Sequence, residues 1–320
     1  MIKNIAIALG AVIITLVFCH WSVPGVEEAP TGAKNAAPIK DTLPIDALSN
    51  YWYQGKAEVT RYELRQHRYR GLHKGEAVMV FVTEDFLTDK QVKNEKYTNP
   101  NSVLVLKNNA IRKFDTGIYD YSVMSSVFTP TGRNDYPHTL KLTNTVQEWC
   151  GQTFMQVNFK NEQYETSTHS YFEDEADQRF TVPAIILEDE LYTRIRINPG
   201  KMPLGEIDIL PGAWYVRMMH IDFQPLKASA EAADYNGKDF KGDNLRVYRL
   251  HYPSLNRTLE IVYEAAPPYR ITGWLDTHPG FDKQVRTTIA RSTHSMLTDY
   301  WSKNNIEDVD LRKKLGLSTF

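Results

Sequence analysis

Hydrophobic and polar residues alternate with a period of two through most of the chain beyond its N-terminal region. In FMQVNFK (154–160), the apolar residues Met155, Val157 and Phe159 alternate with polar ones, and TLEIVYE (258–264) repeats the pattern. Alternation of this kind places one set of side chains on each face of a sheet, as in half-buried antiparallel strands. A further stretch, AVMVFVTEDF, is apolar on both faces and predicts a central strand.

Turn-forming residues separate these stretches at short spacing. Examples are Cys150-Gly151, Lys160-Asn161 and Pro268, so hairpins are predicted to connect most strands. Strands and helices do not alternate regularly, which argues against a doubly wound α/β fold. The predicted fold class is therefore mainly β: a curved antiparallel sheet or open β-barrel with a few helices packed on it.

Two segments have the pattern of helices. VPAIILEDELYTRIRINPG (182–200) carries an apolar stripe from Ala184 to Ile195, with proline near its start and Asn-Pro-Gly at its end. A last helix is predicted over Ile306–Leu315, where Gly316 closes it.

The N-terminus has the features of a secretion or anchoring signal. Lys3 precedes an apolar run, Ile5–Phe18, and the next charged residue is Glu27. The run has signal-peptide length, and counting on through Trp21 brings it close to a minimal membrane span. The basic residue before the run and the acids after it predict that the remainder lies outside the cytoplasm. We therefore interpret residues 1–23 as a signal peptide or membrane anchor.

Cys19, at the end of this run, has two interpretations. A bacterial lipoprotein signal requires a small residue directly before the lipidated cysteine, whereas Phe18 stands there. This favours an uncleaved anchor, in which Cys19 is an incidental residue, over lipid attachment at Cys19. Both interpretations tether the protein to the membrane of a bacterial cell envelope, with its folded part outside the cytoplasm.

The remaining chain divides into a spacer and a folded part. Residues 24–45 are rich in proline and alanine without periodicity, which predicts a flexible linker. Residues 46–320 are predicted to form a single β-rich domain, within the length range of such domains. The formal net charge of −2 gives no general attraction to nucleic acid, so no nucleic-acid partner is predicted. Two cysteines are too few for a disulfide framework.

Common signatures of cofactor and metal chemistry are missing from the sequence. It has no Gly-x-Gly dinucleotide fingerprint, no Gly-x-Ser-x-Gly nucleophile elbow, no His-Glu-x-x-His and no Cys-x-x-Cys. The sequence thus predicts neither a cofactor nor a metal ion.

The stretch from Glu148 to Gln178 holds the best candidates for catalysis. These candidates are Glu148, Cys150, His169 and Glu173. Turns at Cys150-Gly151 and Asn161-Glu162 would place His169 on the sheet face opposite to Glu148, whereas a one-residue slip of a strand could bring the two residues together. A catalytic cysteine needs a base within hydrogen-bond reach, which this arrangement does not provide. The carboxylates of this stretch also lack the spacing of a calcium loop. A scaffold role is therefore favoured over a site.

Two other segments have more than one interpretation. RYELRQHRYR (61–70) interleaves arginines with tyrosines and could meet anionic lipid headgroups or glycans, but a charged edge strand that blocks aggregation is favoured. AWYVRMMHIDF (213–223) places Trp214, Met218 and His220 on one face. That face could line a cavity, although such a stripe is more often plain core.

Several phrases together resemble a family of uncharacterised membrane-tethered lipoproteins of Bacteroidota. They are YWYQGKAEVTRYEL (51–64), AVMVFVTEDFLTDKQVK (77–93), QEWCGQTF (147–154), STHSYFEDEADQ (167–178) and RTLEIVYEAAPPYRITGW (257–274). The resemblance covers most of residues 50–315 and implies an envelope location, but it supplies no functional residues. Such sequences are often labelled "septum formation inhibitor Maf". True Maf proteins are cytoplasmic nucleotide pyrophosphatases with a Ser-Pro-Arg-Arg motif, which this chain lacks.

Three functions are compatible with these observations. The favoured hypothesis is an envelope-tethered binding protein, not an enzyme, for a lipid or other apolar ligand, which requires an apolar cavity on the concave face. The first alternative is an envelope hydrolase that uses some of the four candidate residues in a cleft. The second is a structural or partner-binding protein of an envelope complex, which requires an exposed apolar patch.

Overall fold

One curved antiparallel sheet of sixteen strands dominates the computed structural model, which describes residues 47–132 and 137–318. The sheet does not close on itself, and a few short helices accompany it. This confirms the predicted mainly β fold class. The predicted anchor 1–23 with Cys19 and the predicted linker 24–45 lie outside the described residues. Within the described ranges, no helix is both long and apolar enough to cross a membrane.

The strands follow one another with short connections. They are β1 (Ala57–Arg68), β2 (Gly71–Leu87), β3 (Val92–Lys93), β4 (Ser102–Thr116), β5 (Tyr119–Pro130), β6 (Lys141–Glu148), β7 (Gly151–Lys160), β8 (Gln163–His169), β9 (Gln178–Pro183), β10 (Ile186–Leu187), β11 (Gly205–Leu210), β12 (Leu226–Asp234), β13 (Leu245–Tyr252), β14 (Arg257–Glu264), β15 (Ile271–Pro279) and β16 (Val285–Thr298).

The helices are short and lie between or after the strands. They are α1 (Ala47–Trp52), α2 (Leu191–Ile197), α3 (Ala213–Met219) and α4 (Val309–Lys314). Single 3₁₀ turns occur at Glu188–Glu190, Pro199–Lys201, Pro253–Leu255, Tyr300–Ser302 and Ile306–Asp308.

The strand order makes the sheet a long meander. It runs β10-β11-β12-β13-β14-β15-β16-β1-β2-β4-β5-β6-β7-β8-β9, and the short β3 pairs with β2. The first and last strands, β1 and β16, are direct neighbours. The two edge strands, β9 and β10, are separated in the chain only by residues 184–185. Hairpins therefore dominate the sheet, as the spacing of turn signals predicts.

The segment 184–225 packs against the concave face and provides the helices α2 and α3. Leu191 and Ile195 of α2 join a core cluster with residues of β1, β2, β4 and β11–β16, among them Trp274. Val216 of α3 belongs to a second cluster with residues of β5–β9. The sheet thus curves around two helices, and their apolar side chains, not solvent, occupy these parts of the concave face.

The helix predicted from Ala184 is wrong in its first half. Ile186 pairs with Ile209, and Leu187 with Leu210, so that β10 forms a short parallel ladder with β11. A 3₁₀ turn follows, and the α-helix starts only at Leu191. Tertiary pairing with β11 overrides the helical periodicity here.

The predicted C-terminal helix is confirmed. A 3₁₀ turn at Ile306–Asp308 leads directly into α4, Val309–Lys314. Gly316 follows with a positive φ of 64°, a conformation that glycine adopts without steric cost. Leu315 then packs on the convex side of the sheet against Val80.

The basic segment 61–70 does not form an edge strand, so this interpretation was wrong. Its strand β1 is hydrogen-bonded to β16 on one side and to β2 on the other. Arg68 at the end of β1 is buried, and its Nη1 donates to the carbonyl of Met218 at 2.8 Å. The arginine links the sheet to α3.

A buried ion pair joins α2 to β1. The guanidinium of Arg196, which is fully buried, donates to both carboxylate oxygens of Glu58 at 2.5 and 2.7 Å. It lies between the rings of Trp52 and Phe81, each with its centroid 4.8 Å away. Burial raises the pKa of Glu58, but the charge and hydrogen bonds of Arg196, together with the Tyr51 hydroxyl and the charge of Arg270, outweigh burial and hold that pKa below its usual value.

A second buried ion cluster joins the start of this segment to β14 and β15. Arg257 donates to the carboxylate of Glu188 at 2.6 and 2.8 Å and to that of Asp276 at 2.8 and 2.9 Å. The Tyr252 hydroxyl adds a hydrogen bond to Glu188 at 2.8 Å. Because all four charge-assisted bonds are buried, they hold the turn at 188–190 firmly against the sheet.

We predict that Arg196→Met destabilises the domain strongly. The change removes the bidentate partner of the buried Glu58 carboxylate and leaves it only the Tyr51 hydroxyl and Arg270 at 3.8 Å. Loss of a buried ion-pair partner costs about 3–5 kcal/mol of unfolding free energy. Urea denaturation measures this loss. Arg249→Met is the matched control, because Arg249 forms partly exposed ion pairs with Glu231 and Glu260, each of which contributes about 0–1 kcal/mol. Equal losses in the two variants would contradict a structural role for the buried pair.

Candidate functional site

A cleft of about 630 Å³ opens between β6–β9 and the chain around α3. Its floor is apolar, because Met155 and Val182 from the strands meet Val216 of α3 and Phe223 beyond it. These four side chains are buried in the second core cluster. Clefts of about 300–1,000 Å³ with mostly apolar walls and a few polar groups are the usual sites for small ligands.

Arg217 is the cationic group of this cleft. Its side chain is buried, its Nε donates to the Thr153 hydroxyl at 3.1 Å, and its guanidinium lies 4.3 Å from the ring centroid of Phe172. Within residues 47–132 and 137–318, no carboxylate forms an ion pair with it. Burial accordingly lowers the pKa of Arg217. The guanidinium is a desolvated positive charge without a direct counter-ion.

A histidine and a carboxylate lie beside the arginine. The Nδ1 of His220 is 2.6 Å from Oε1 of Glu175, and the Ser170 hydroxyl donates to the other oxygen of that carboxylate at 2.5 Å. The Nε2 of His220 is 3.4 Å from Nη1 of Arg217. Since an arginine only donates, the geometry assigns the proton to Nδ1 and the lone pair to Nε2. The carboxylate of Glu175 is thus hydrogen-bonded to His220 and Ser170. Its charge acts on Arg217 through space and raises the pKa of that guanidinium, but by less than burial lowers it.

The structure brings two of the four sequence-predicted candidates to the cleft. His169 and Glu173 line it, and His169 pairs with Asp177 at 3.2 Å on the half-exposed rim. Glu148 and Cys150 are absent from the cleft lining and lie at the β6–β7 turn. There the backbone N–H of Cys150 donates to Glu148 at 2.8 Å. The hydrogen bond to Glu148, and then its charge, raise the pKa of the exposed Cys150 thiol.

The predicted registers of these hairpins are partly confirmed. His169 pairs with Phe154, and the turn at Asn161-Glu162 is present, with both residues in the left-handed region. The other turn lies one residue earlier than predicted, because Gly151 already pairs with Glu148. Gly151 lies under the ring of Tyr171, where a Cβ would approach that ring to 2.7 Å.

The AWYVRMMHIDF segment was interpreted either as core or as the lining of a cavity, and both apply to different residues. Trp214 and Met218, one helical turn apart on α3, pack in a core cluster with Phe114 and Val146. His220 follows the helix in a left-handed conformation and reaches the cleft. The sequence pattern already placed His220 on a face that could line a cavity. For Arg217 the sequence gives no indication of a role except its position within an apolar helix.

A second, smaller cavity of about 40 Å³ lies deeper in the concave face. Its polar lining includes Asp189, Arg112 and the Glu188–Arg257–Asp276 cluster. Asp189 accepts a hydrogen bond from the backbone N–H of Ala213 at 2.9 Å, while burial raises the pKa of its carboxyl to about 7. The volume suffices for a water molecule. In the described ranges, no three His, Cys, Asp or Glu side chains are placed to share a metal ion.

We predict that Asp189→Asn flattens the pH dependence of stability. In the unfolded chain Asp189 titrates near its ordinary pKa of 3.8, but in the fold near 7, so the native state holds the extra proton between these values. The free energy of unfolding therefore falls as pH rises from about 4 to about 7, by at most about 1.4 kcal/mol per unit. The neutral asparagine removes this slope and keeps an oxygen for the Ala213 N–H. Urea titrations over this pH range measure it.

The control for this prediction is Asp208→Asn, at a half-exposed carboxylate paired with Lys227. This variant should keep the slope of the unchanged protein. If the free energy of unfolding changed with pH in the same way in Asp189→Asn and in the unchanged protein, the assignment of a protonated Asp189 would be contradicted.

Comparisons of this chain with protein-family models, curated protein sequences and solved structures gave no match. The resemblance to Bacteroidota lipoproteins therefore stays a prediction. The function has to be inferred from the residues of the cleft themselves.

Proposed function

We propose that this protein binds a lipid-like, amphiphilic small molecule in the cleft beside α3. Its apolar body lies against the floor formed by Met155, Val182 and Phe223, and its anionic head meets Arg217. The observation that carries the proposal is a buried guanidinium, without a direct counter-ion, at the wall of a cleft of about 630 Å³ that has an apolar floor and a polar rim.

The two other arginine clusters of the concave face explain why Arg217 stands out. Arg196 and Arg257 are also buried, but carboxylates pair with them within the fold. Arg68 is buried without a carboxylate as well, but it donates to the Tyr121 hydroxyl and the Met218 carbonyl and does not line this cleft. A buried charge costs several kcal/mol unless it is paired. A bound carboxylate or phosphate would supply the missing charge and accept two parallel hydrogen bonds from the guanidinium fork. This supports an anionic head rather than a purely apolar ligand.

The predicted location of the protein fits such a ligand. An apolar N-terminal run followed by a proline-rich linker would hold the domain close to a bilayer, where amphiphiles are concentrated. The cleft has a half-exposed mouth with Glu173 and His169, so a ligand can enter without unfolding of the core.

The hydrolase alternative has less support. Glu148 and Cys150 do not line the cleft that His169 and Glu173 share, and the Cys150 thiol has a raised pKa, the opposite of what an activated nucleophile needs. The His220–Glu175 pair has the form of an oriented base. However, its free nitrogen faces Arg217, and the Ser170 hydroxyl donates to the carboxylate.

A partner-binding role is favoured by one observation. Trp149, Tyr171 and Phe281 expose 69%, 66% and 57% of their surface on turns. These turns connect β6–β7, β8–β9 and β15–β16, which antiparallel pairing places at the same end of the sheet as the cleft mouth. Such aromatic side chains are enriched in protein interfaces. This function is compatible with ligand binding and forms the second candidate.

Native mass spectrometry of the full chain, purified from its own host, tests the proposal directly. We expect a stoichiometric adduct of lipid-like mass, which solvent extraction releases for identification. A protein that carries no adduct and does not take up an apolar dye such as anilinonaphthalene sulfonate would contradict ligand binding, and pull-down experiments would then test the partner-binding function.

We predict that Arg217→Gln weakens binding of dodecanoate by about 10- to 150-fold, because a charge-assisted hydrogen bond contributes about 1.5–3 kcal/mol. The neutral methyl ester of dodecanoate should lose little affinity. Competition with the dye in a fluorescence titration measures both. Arg179→Gln on β9 is the matched control, since Arg179 is exposed and does not line the cleft. Equal affinities of the acid and the ester for the unchanged protein would contradict the role of Arg217.

A further inference from the structure

The convex face of the sheet carries a row of aligned side chains across four strands. Val82 of β2 pairs with Lys107, Lys107 with Phe128, and Phe128 with Lys141. Residues paired in this way lie on the same face. Val82 itself packs with Leu315 after α4, so this row lies opposite to the face that holds α2. A groove of about 470 Å³ runs along it.

Positive charge exceeds negative charge in this groove. Lys93, Lys107 and Lys141 line it together with a single carboxylate, Glu84. Lys107 forms an ion pair with Glu84 at 2.5 Å. Lys141 instead donates to the carbonyl of Gln91 at 3.0 Å, and burial lowers its pKa. In the part of the chain that the structure describes, neither Lys93 nor Lys141 forms an ion pair. The groove therefore attracts an anion.

Two aromatic rings form one wall of the groove. Tyr300 and Trp301 lie on the 3₁₀ turn after β16, with their ring centroids 5.4 Å apart in an edge-to-face arrangement. Trp301 remains 50% exposed and Tyr300 39%, although large aromatic side chains usually bury most of their surface. An exposed indole beside ammonium groups offers a flat apolar surface to a ligand that also carries charge.

We propose that this groove binds a sugar unit that carries an anionic group, as found in acidic polysaccharides. The apolar face of the sugar ring stacks on Trp301, and its anionic group pairs with Lys93 and Lys141. The Glu84 carboxylate accepts hydrogen bonds from sugar hydroxyls. A neutral sugar would leave the two lysines without a counter-ion, and a polyphosphate chain would have no hydroxyl donors for Glu84. The combination of groups thus favours an acidic sugar over both.

Isothermal titration calorimetry with trigalacturonate and with its neutral methyl ester tests this site in the full-length protein. We expect trigalacturonate to bind and the ester to bind at least about tenfold more weakly. Trp301→Ala and Lys141→Gln should each weaken binding of the acid by about tenfold or more. Lys141→Arg, which keeps the charge and the stem that packs in the sheet, should retain most of the affinity.

Lys90→Gln serves as the control, because Lys90 is exposed on the neighbouring loop and does not line the groove. It should bind trigalacturonate like the unchanged protein. Absence of binding, equal binding of acid and ester, or an equal loss in Lys90→Gln would each overturn the proposal. Tighter binding of hexathymidylate through the same residues would also overturn it in favour of a phosphate polymer. The urea unfolding midpoint of Trp301→Ala should match that of the unchanged protein, which shows that the variant is folded.

Discussion

Two buried guanidinium groups hold the segment 184–225 on the concave face, and the cleft beside α3 depends on where that segment lies. Arg196 pairs with the carboxylate of Glu58, 138 residues earlier in the chain, and Arg257 pairs with that of Glu188, 69 residues earlier. Apolar packing alone tolerates sliding of helices against a sheet, since it is not directional. A buried bidentate bond between a guanidinium and a carboxylate permits little sliding, because any displacement leaves the charges unpaired at a cost of several kcal/mol.

The cleft forms because the segment stops short of covering β6–β9 completely. Val216 and Phe223 fill the inner part of this region, and beyond them the strands face open space of about 630 Å³. Arg217 occupies the boundary between core and cleft. It is 7% exposed, against 0% for Arg196 and 2% for Arg257, and it lacks the carboxylate partner that those two arginines have. A buried charge is costly unless it is paired, and this rule explains the two structural clusters. The same rule supports our proposal that Arg217 pairs with an anionic ligand.

The sequence predicts the sheet well because a period of two depends only on neighbouring residues and on one buried face. The turn at Asn161-Glu162 and the end of the last helix at Gly316 follow from local conformational preferences in the same way. The helix predicted over residues 184–190 is wrong, because the pairing of β10 with β11 is a long-range contact that overrides the local periodicity. Arg217 is missed for a related reason: whether an arginine is paired depends on carboxylates that only the fold brings near it.

The two proposed sites make different use of positive charge. In the cleft a single guanidinium is desolvated and backed by an aromatic ring, so its attraction for an anion is strong at short range and little affected by salt. In the groove the charge comes from lysines on an open face, where water and salt screen it and an exposed indole has to contribute much of the affinity. The cleft therefore suits one tightly enclosed amphiphile. The groove suits repeated, weak contacts along a polymer, in which many units compensate for the low affinity of each.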